Sequence, residues 1–150
     1  MSNDPAFDLR DFMPYLLNQA ADASSRDFQS YYKGKYGMLR TEWRVLFHLG
    51  IYGRLTARDI SEKARIHKTK ISRAVHRLNE RRFLTRERDA LDRRSEHLEL
   101  TAKGRAAYED LHEVARAYDA ELLAAFSPEE ARSLRNMLSA IARGEGGSAR

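Results

Sequence analysis

The fold is decided by residues 56–78, which read TARDISEKARIHKTKISRAVHRL. Thr56 is a good helix N-cap and Asp59 follows three residues later, a variant of the capping box that predicts a helix start. A short helix should therefore cover about 57–64, and a second helix, after a tight turn, about 68–81. Apolar residues recur at spacings of three and four in the second helix, which gives it one buried face. Two short helices across a tight turn predict a helix-turn-helix.

Two short strands are expected after the second helix. Residues 83–88 are β-prone, residues 96–100 alternate in polarity, and the charged connection 89–95 reads as a hairpin loop. A basic two-stranded wing behind a helix-turn-helix describes a winged helix-turn-helix, here over residues 41–100. The expected fold class is thus mainly α with a small β-hairpin wing, an α+β arrangement.

Long helical regions flank this central unit, at residues 11–35 and 101–143. They are longer than the central unit needs, and their apolar stripes must be covered by something. A partner subunit is the economical choice, so we expect N- and C-terminal dimerisation helices and a homodimer. The length of 150 residues fits a single domain.

Positive charge is concentrated in the middle of the chain. The 27 Lys/Arg and 22 Asp/Glu of the whole sequence give a net charge of +5. Between Arg54 and Arg105 there are 16 Lys/Arg against 8 Asp/Glu, a net charge of +8, so the remainder is acidic overall. A basic centre between acidic flanks indicates a polyanion-binding module.

Several classes of protein are excluded by what the sequence lacks. It has no cysteine, which rules out a disulfide framework, thiolate catalysis and thiol redox sensing. No run approaches the ~20 apolar residues of a membrane span, and the first ten residues have no apolar signal-peptide core. The nucleotide-binding, zinc-protease and hydrolase motifs are missing as well. We therefore expect a cytoplasmic protein that is not an enzyme and has no membrane partner, catalytic residue, cofactor or metal.

The segment 55–104 resembles the MarR family of bacterial transcriptional regulators. The resemblance is carried by the helix-turn-helix, by the D-x-R wing signature Asp92-Arg93-Arg94, and by an L-T-x-K-G sequence that ends at Gly104. Residues 43–46, which read WRVL, also fit. With the flanking helices, the resemblance implies one MarR-type domain over residues 1–150.

One position departs from the family pattern. The family usually has Gly-Leu after the second helix of the motif, and this sequence has Arg82-Phe83. Either Arg82 takes a left-handed conformation at an energetic cost, or the helix ends differently.

The resemblance implies a sequence-specific regulator of transcription that binds double-stranded DNA, more as a repressor than as an activator, at a pseudo-palindromic operator. The second helix of the motif would enter the major groove and present basic and short polar side chains. These candidates are Lys68, Thr69, Lys70, Ser72, Arg73, His76 and Arg77.

The wing supplies a second set of candidates. In MarR-type proteins the arginine of the D-x-R motif, here Arg94, reaches into the minor groove, whose negative potential favours a guanidinium. Asp92 is expected to brace a wing or helix arginine by a charge-assisted hydrogen bond. Arg86, Arg88 and Arg93 are expected to contact phosphates.

The resemblance also implies a pocket for a small anionic aromatic effector between the dimer helices and the winged region. Candidate lining residues are Phe12, Tyr15, Arg26, Trp43, Arg44, Phe47, His48 and Tyr52. Arg26 or Arg44 could bind a carboxylate through two hydrogen bonds. Taken singly, Trp43 and Phe47 also suit a core, and His48 suits a satisfied core histidine.

Two other functions remain open at this point. One is a dimeric helical scaffold or antirepressor that uses the winged domain to bind protein, although the basic wing and Arg94 favour DNA. The other is a zinc-responsive regulator, because Glu109 and His112 lie one helical turn apart with Glu113 adjacent. Acids and a histidine on an exposed helix face are more commonly plain solvated surface.

Overall fold

The computed structural model describes residues 6–92 and 94–144, and within them the expected fold class is confirmed. The described part contains six α-helices and three strands after a 3-10 turn at Leu9–Asp11. The elements are α1 (Met13–Tyr36), α2 (Arg40–Tyr52), β1 (Leu55–Thr56), α3 (Ala57–Ala64), α4 (Lys68–Glu80), β2 (Leu84–Arg88), β3 (Glu96–Leu100), α5 (Ala102–Leu122) and α6 (Pro128–Ala142). The chain divides into two compact units, one up to Ala115 and one from Arg116.

The helix-turn-helix forms as its local signals predict. The Thr56 hydroxyl accepts a hydrogen bond from the Asp59 N–H at 3.1 Å, and the Asp59 carboxylate accepts one from the Thr56 N–H at 3.0 Å. This capping box starts α3, and α4 follows after a short turn. The core is formed on the inner faces of these helices by Ile60, Ile71, Ala74, Val75 and Leu78, each at most 3% exposed.

The wing is a three-stranded antiparallel sheet in the order β1-β3-β2. The two strands expected from the sequence pair with Leu84 opposite Leu100 and Arg88 opposite Glu96. The short β1 adds Leu55 opposite Leu98, which ties the wing to the start of α3. Sequence analysis missed β1 because two residues are too few to show an alternating pattern.

Aromatic side chains join α1, α2 and the first part of α5. Trp43 of α2 meets Phe28 of α1 edge to face, with ring centroids 5.3 Å apart. Phe47, one turn later on α2, meets Tyr108 of α5 in the same way at 5.3 Å. Edge-to-face pairs of this kind add to the energy of burying the rings.

A polar cluster around Asp110 of α5 also holds the end of α1. Its carboxylate accepts hydrogen bonds from the hydroxyls of Tyr36 at 2.5 Å and Tyr31 at 3.0 Å, and it pairs with the Lys35 ammonium at 2.9 Å. The hydrogen bond from Tyr36 and then the one from Lys35 lower the pKa of Asp110. Burial, followed by the Asp110 carboxylate, raises the pKa of Tyr36 to about 12.

The second unit contains the end of α5 and the whole of α6. Ser127 caps α6 by accepting from the Glu130 N–H at 3.1 Å, and Pro128 occupies the first turn, as helix-start rules predict. Asp119 and Arg135 form an ion pair at 2.7 Å. Large apolar side chains remain exposed in this unit: Leu122, Phe126, Met137, Leu138 and Ile141. No helix in the described residues is long and apolar enough to cross a membrane.

Arg82 is the residue that departs from the family pattern, and it does adopt the left-handed conformation, with a φ of 65°. The Phe83 N–H binds the Leu78 carbonyl at 2.9 Å and the Arg82 N–H binds the Asn79 carbonyl at 3.0 Å. These two bonds form a Schellman motif, which normally has glycine at the left-handed position. The chain thus makes a turn that favours glycine and bears the strain of a side chain there.

Replacing Arg82 by glycine should stabilise the fold. A residue with a Cβ is strained by roughly 1–2 kcal/mol in the left-handed conformation. Replacing it by glycine should raise the free energy of unfolding by about 1 kcal/mol, after the greater entropy of glycine in the unfolded state is subtracted. Thermal unfolding should therefore show the midpoint of Arg82→Gly raised by about 2–4 °C. The control Arg82→Ala removes the same charge but keeps a Cβ, and equal midpoints for the two variants would contradict this explanation.

The Asp110 cluster should stabilise the fold in a pH-dependent way. Because the folded-state pKa of Asp110 is depressed, its contribution is present above the ordinary value of 3.8 and is lost as the pH falls through the folded value. Asp110→Asn should lower the free energy of unfolding at pH 7 by about 1–2 kcal/mol, a modest figure because the site is partly exposed. Denaturant titrations should show this difference shrinking below pH 3.8. A difference that does not change with pH would refute the assignment.

Candidate nucleic-acid interface

One face of α4 is an exposed row of basic and polar side chains. All seven candidates of this helix lie on it: Lys68, Thr69, Lys70, Ser72, Arg73, His76 and Arg77. The opposite face is buried, and the 3.6-residue period of the helix therefore places all seven positions on the exposed side. His67 caps the start of α4 by accepting from the Thr69 N–H at 3.2 Å. The resulting surface can donate many hydrogen bonds to an anionic partner.

Two of these side chains already have acidic neighbours. His76 lies 3.0 Å from the Glu80 carboxylate on the next turn. The Arg77 Nε lies 3.5 Å from Oε1 of Glu42, which belongs to α2 and is only 1% exposed. Glu42 also accepts from the Leu39 N–H at 3.1 Å and so caps α2. Arg77 is therefore directed partly toward α2, whereas the sequence suggested only a DNA-facing role.

The wing arginines are organised by an acid that sequence reasoning missed. Glu96 of β3 accepts from Arg86 of β2 at 2.7 Å and lies 3.8 Å from Arg88. The strand register, with Arg88 opposite Glu96, brings these groups to one side of the sheet. The alternation of side chains along a strand could have suggested this contact once the register was known.

Asp92 holds the wing tip in a different way from that expected. Its carboxylate accepts a hydrogen bond from the backbone N–H of Arg94 at 3.0 Å. This contact shapes the turn, and the Arg94 side chain beside it is exposed. The remaining wing candidate, Arg93, lies outside the described residues.

A groove of about 600 Å³ connects the wing to the helix-turn-helix. Its lining includes Arg86, Arg88, Arg94 and Ser72, and it also includes Arg58 of α3. Sequence reasoning did not select Arg58, although the first helix of such a motif crosses the DNA backbone. Arg58 is highly exposed and pairs with Glu62 at 3.2 Å. The groove thus gathers guanidinium groups from three elements.

A second cavity, of about 370 Å³, lies between α1 and α2. Of the eight effector-pocket candidates, it is lined by Arg26, Trp43 and Arg44, and sequence reasoning missed the rest of its lining. The missed residues are Asp22, Ser25, Phe28, Gln29, Tyr32 and Arg40. Helical spacing from Arg26 could have found two of them, since Asp22 lies four positions away and Gln29 three.

The other five pocket candidates do not line this cavity. Phe47 packs between Trp43 and Tyr108, and Phe12 pairs with Phe7 at the start of the chain. His48 binds the Arg44 carbonyl through Nδ1 at 2.7 Å and lies beside Tyr52, with ring centroids 5.9 Å apart. Tyr15 is half-buried on the first turn of α1.

The cavity has a positive end. Burial and then the neighbouring Arg40 lower the pKa of Arg44, whose guanidinium lies 6.0 Å from the Trp43 ring. Burial also raises the pKa of Tyr32, which keeps its hydroxyl neutral. In the described residues Arg44 forms no ion pair with a carboxylate, so an arriving anion would meet an unneutralised guanidinium beside an aromatic plane.

Nothing in the described residues supports a zinc site. Glu109, His112 and Glu113 are exposed on α5, and no three His, Cys, Asp or Glu side chains within residues 6–92 and 94–144 come together as metal ligands. The His112 ring instead stacks on Phe47 with centroids 6.5 Å apart.

Comparison with known proteins identifies the winged segment. Residues 36–95 match the model of the MarR family. The winged helix-turn-helix of this chain is therefore similar to that of the MarR family. The MarR family is a family of transcriptional regulators.

Individual relatives of this chain are also described as transcriptional regulators. The uncharacterized HTH-type transcriptional regulator YwaE of Bacillus subtilis is 27% identical over 107 residues, which is 71% of this chain and 63% of YwaE. The chain therefore spans less than two thirds of that relative. A probable transcriptional regulator from Pseudomonas aeruginosa is 25% identical, with 89% of this chain and 99% of that chain covered and a TM-score of 0.75.

BpsR of Bordetella bronchiseptica has the same fold as this chain. The TM-score is 0.83 at 21% identity, with 91% of this chain and 97% of BpsR covered. The DNA binding of BpsR is regulated by 6-hydroxynicotinic acid.

Proposed function

We propose that the chain is a homodimeric repressor that binds a pseudo-palindromic operator and is released by a small anionic aromatic ligand. The observation that carries this proposal is the exposed basic face of α4 beside the arginine-lined groove of the wing. α4 would read base edges in the major groove, and Arg94 would enter the adjacent minor groove. Arg58, Arg86, Arg88 and Arg93 would hold phosphates and set the docking position. Such a regulator acts in the cytoplasm, where bacterial DNA lies.

The dimer is proposed from apolar side chains that are left uncovered. The start of the chain exposes Phe7, Leu9, Phe12, Met13 and Leu16, and the second unit exposes a comparable set. Contiguous exposed apolar surface usually marks an interface. We therefore propose that residues 11–35 and 101–143 pair with a second copy of the chain. The two half-sites would then lie about 10–10.5 base pairs apart, centre to centre.

The effector is proposed to bind in the cavity between α1 and α2. Arg44 and Arg26 would bind its carboxylate, and Trp43 and Tyr32 would flank its ring. Asp22, which lines the same cavity, is suited to accept from a hydroxyl or ring N–H on the ligand. The ligand of BpsR, an aromatic acid, belongs to this chemical class.

The DNA-binding proposal predicts two distinguishable kinds of arginine. The operator is first selected from genomic fragments at physiological salt with excess nonspecific competitor. On that operator Arg73→Ala should weaken binding by about 5- to 100-fold, the effect of losing a base contact of 1–3 kcal/mol. Arg88→Ala should reduce the slope of log affinity against log salt by about 0.9, the effect of losing one phosphate contact.

The matched control is Lys33→Ala, which removes one positive charge from the exposed side of α1. It should leave both the affinity and the salt slope close to those of the wild type. If Arg73→Ala and Arg94→Ala also leave operator binding unchanged, the basic face of α4 does not read DNA, and a protein-binding scaffold becomes the better explanation.

The effector proposal can be tested by fluorescence because Trp43 is the one tryptophan of the chain. Titration with 6-hydroxynicotinate or benzoate should change the Trp43 emission and lower operator affinity. Arg44→Gln removes this half-buried charge and should weaken the response by about tenfold or more, since hydrogen bonds to charged groups contribute about 1.5–3 kcal/mol. His48→Gln is the control outside the cavity and should respond like the wild type. Equal responses of the two variants would exclude Arg44 from the binding site.

A further inference from the structure

The end of α4 is tied directly to the end of α1 by Arg81. Arg81 is the C-cap residue of α4, and its guanidinium donates hydrogen bonds to the carbonyl oxygens of Tyr36 and Gly37, the latter at 3.1 Å. Both carbonyls lie at the C-terminus of α1, where backbone acceptors lack helical partners and the helix dipole favours a cation. We call Tyr36, Gly37, Arg81, Phe83 and Lys103 the α1–α4 junction.

The other members of the junction hold the guanidinium in place. It lies over the Phe83 ring at 5.2 Å, and the Lys103 ammonium lies over the same ring at 4.4 Å. Lys103 also donates to the Arg81 carbonyl at 2.8 Å. Gly37 has a φ of 63°, and a Cβ there would come within 3.2 Å of Arg81 Nη2. The space beside the guanidinium is thus suited to a residue without a side chain.

The two helices joined in this way have different tasks in the proposed function. α1 lines the effector cavity with Arg26 and Tyr32 and belongs to the proposed dimerisation region. α4 presents the side chains proposed to read bases. The hydroxyl of Tyr36 is in turn fixed by Asp110 of α5, so the carbonyls that receive Arg81 belong to a well-anchored segment.

We propose that Arg81 is a positioning residue that sets the orientation of α4 relative to α1, and through it the separation of the two reading helices in the dimer. This inference rests on the proposed function. Its guanidinium is directed at α1 carbonyls, so Arg81 acts through α4 and not as a DNA contact. Without the hydrogen bonds of Arg81, α4 should tilt relative to α1. One dimer should then bind operators that differ from one another in the distance between their half-sites.

The experiment measures affinity for a series of operators. The selected operator is re-made with its half-sites moved together or apart by one and two base pairs, and binding is measured for the full-length wild type and Arg81→Met. Methionine keeps an apolar stem against Phe83 but cannot donate to the carbonyls. We expect the wild type to prefer one spacing and the preference ratio of Arg81→Met to fall by about tenfold, the loss expected for charge-assisted hydrogen bonds.

Two further variants separate positioning from charge and from folding. Arg82→Met removes the same charge one residue away and should keep the wild-type spacing preference. Arg81→Lys keeps a hydrogen-bond donor and should retain an intermediate preference for the wild-type spacing. If size-exclusion chromatography shows that Arg81→Met is not a folded dimer, Arg81→Lys takes its place in the comparison. A graded loss of preference in the order arginine, lysine, methionine supports the inference.

Two results would overturn it. If Arg81→Met loses affinity by the same factor on every spacing, Arg81 is a DNA contact or a general stabiliser and not a positioning residue. If the wild type itself shows no preferred spacing, the dimeric operator of the proposed function fails, and this inference falls with it. The first result leaves the proposed function intact, so the two failures are distinguishable.

Discussion

The burial of one face of α4 is the constraint on which the rest of the structure depends. Ile71, Val75 and Leu78 are almost fully buried against the surrounding elements. Burying side chains of this size contributes about 1.5–3 kcal/mol each. Any rotation of α4 about its axis would expose these apolar side chains. The polar positions between them must therefore all face outward. The basic face is thus a consequence of core packing.

A structural feature can be predicted from the sequence when the residues that form it are close together in the chain, and it is harder to predict when they are far apart. Thr56 and Asp59 lie three residues apart, so the start of α3 could be predicted from local signals alone. The left-handed conformation of Arg82 could be predicted as one of two possibilities because it concerns the backbone of a single residue. β1 and the Glu96 contacts depend on strand register, which brings together residues that are distant in the chain. The bonds of Arg81 go to backbone carbonyls, which every residue has, so the sequence carries no signature of them.

The candidate effector cavity was predicted only in part for a related reason. Trp43 and Arg44 were found because they stand out chemically within α2. The part of the α1 wall formed by Ser25 and Phe28 is ordinary in composition and becomes recognisable only when α1 is placed against α2. The lack of a carboxylate partner for Arg44 among the described residues could not be predicted either, since it depends on which side chains lie near Arg44 in space.

The ion pairs of the wing can be exchanged for contacts to DNA at small cost. Arg86 and Arg88 share the Glu96 carboxylate at a partly exposed site, and such pairs contribute about 0–1 kcal/mol. Breaking them to reach a phosphate therefore costs little, while the new contact also releases condensed counterions from the DNA. Until then Glu96 keeps the two guanidiniums beside the groove and limits the rotamers that binding must restrict. An acid among basic residues is thus compatible with a DNA-binding wing, because it orders the arginines without holding them strongly.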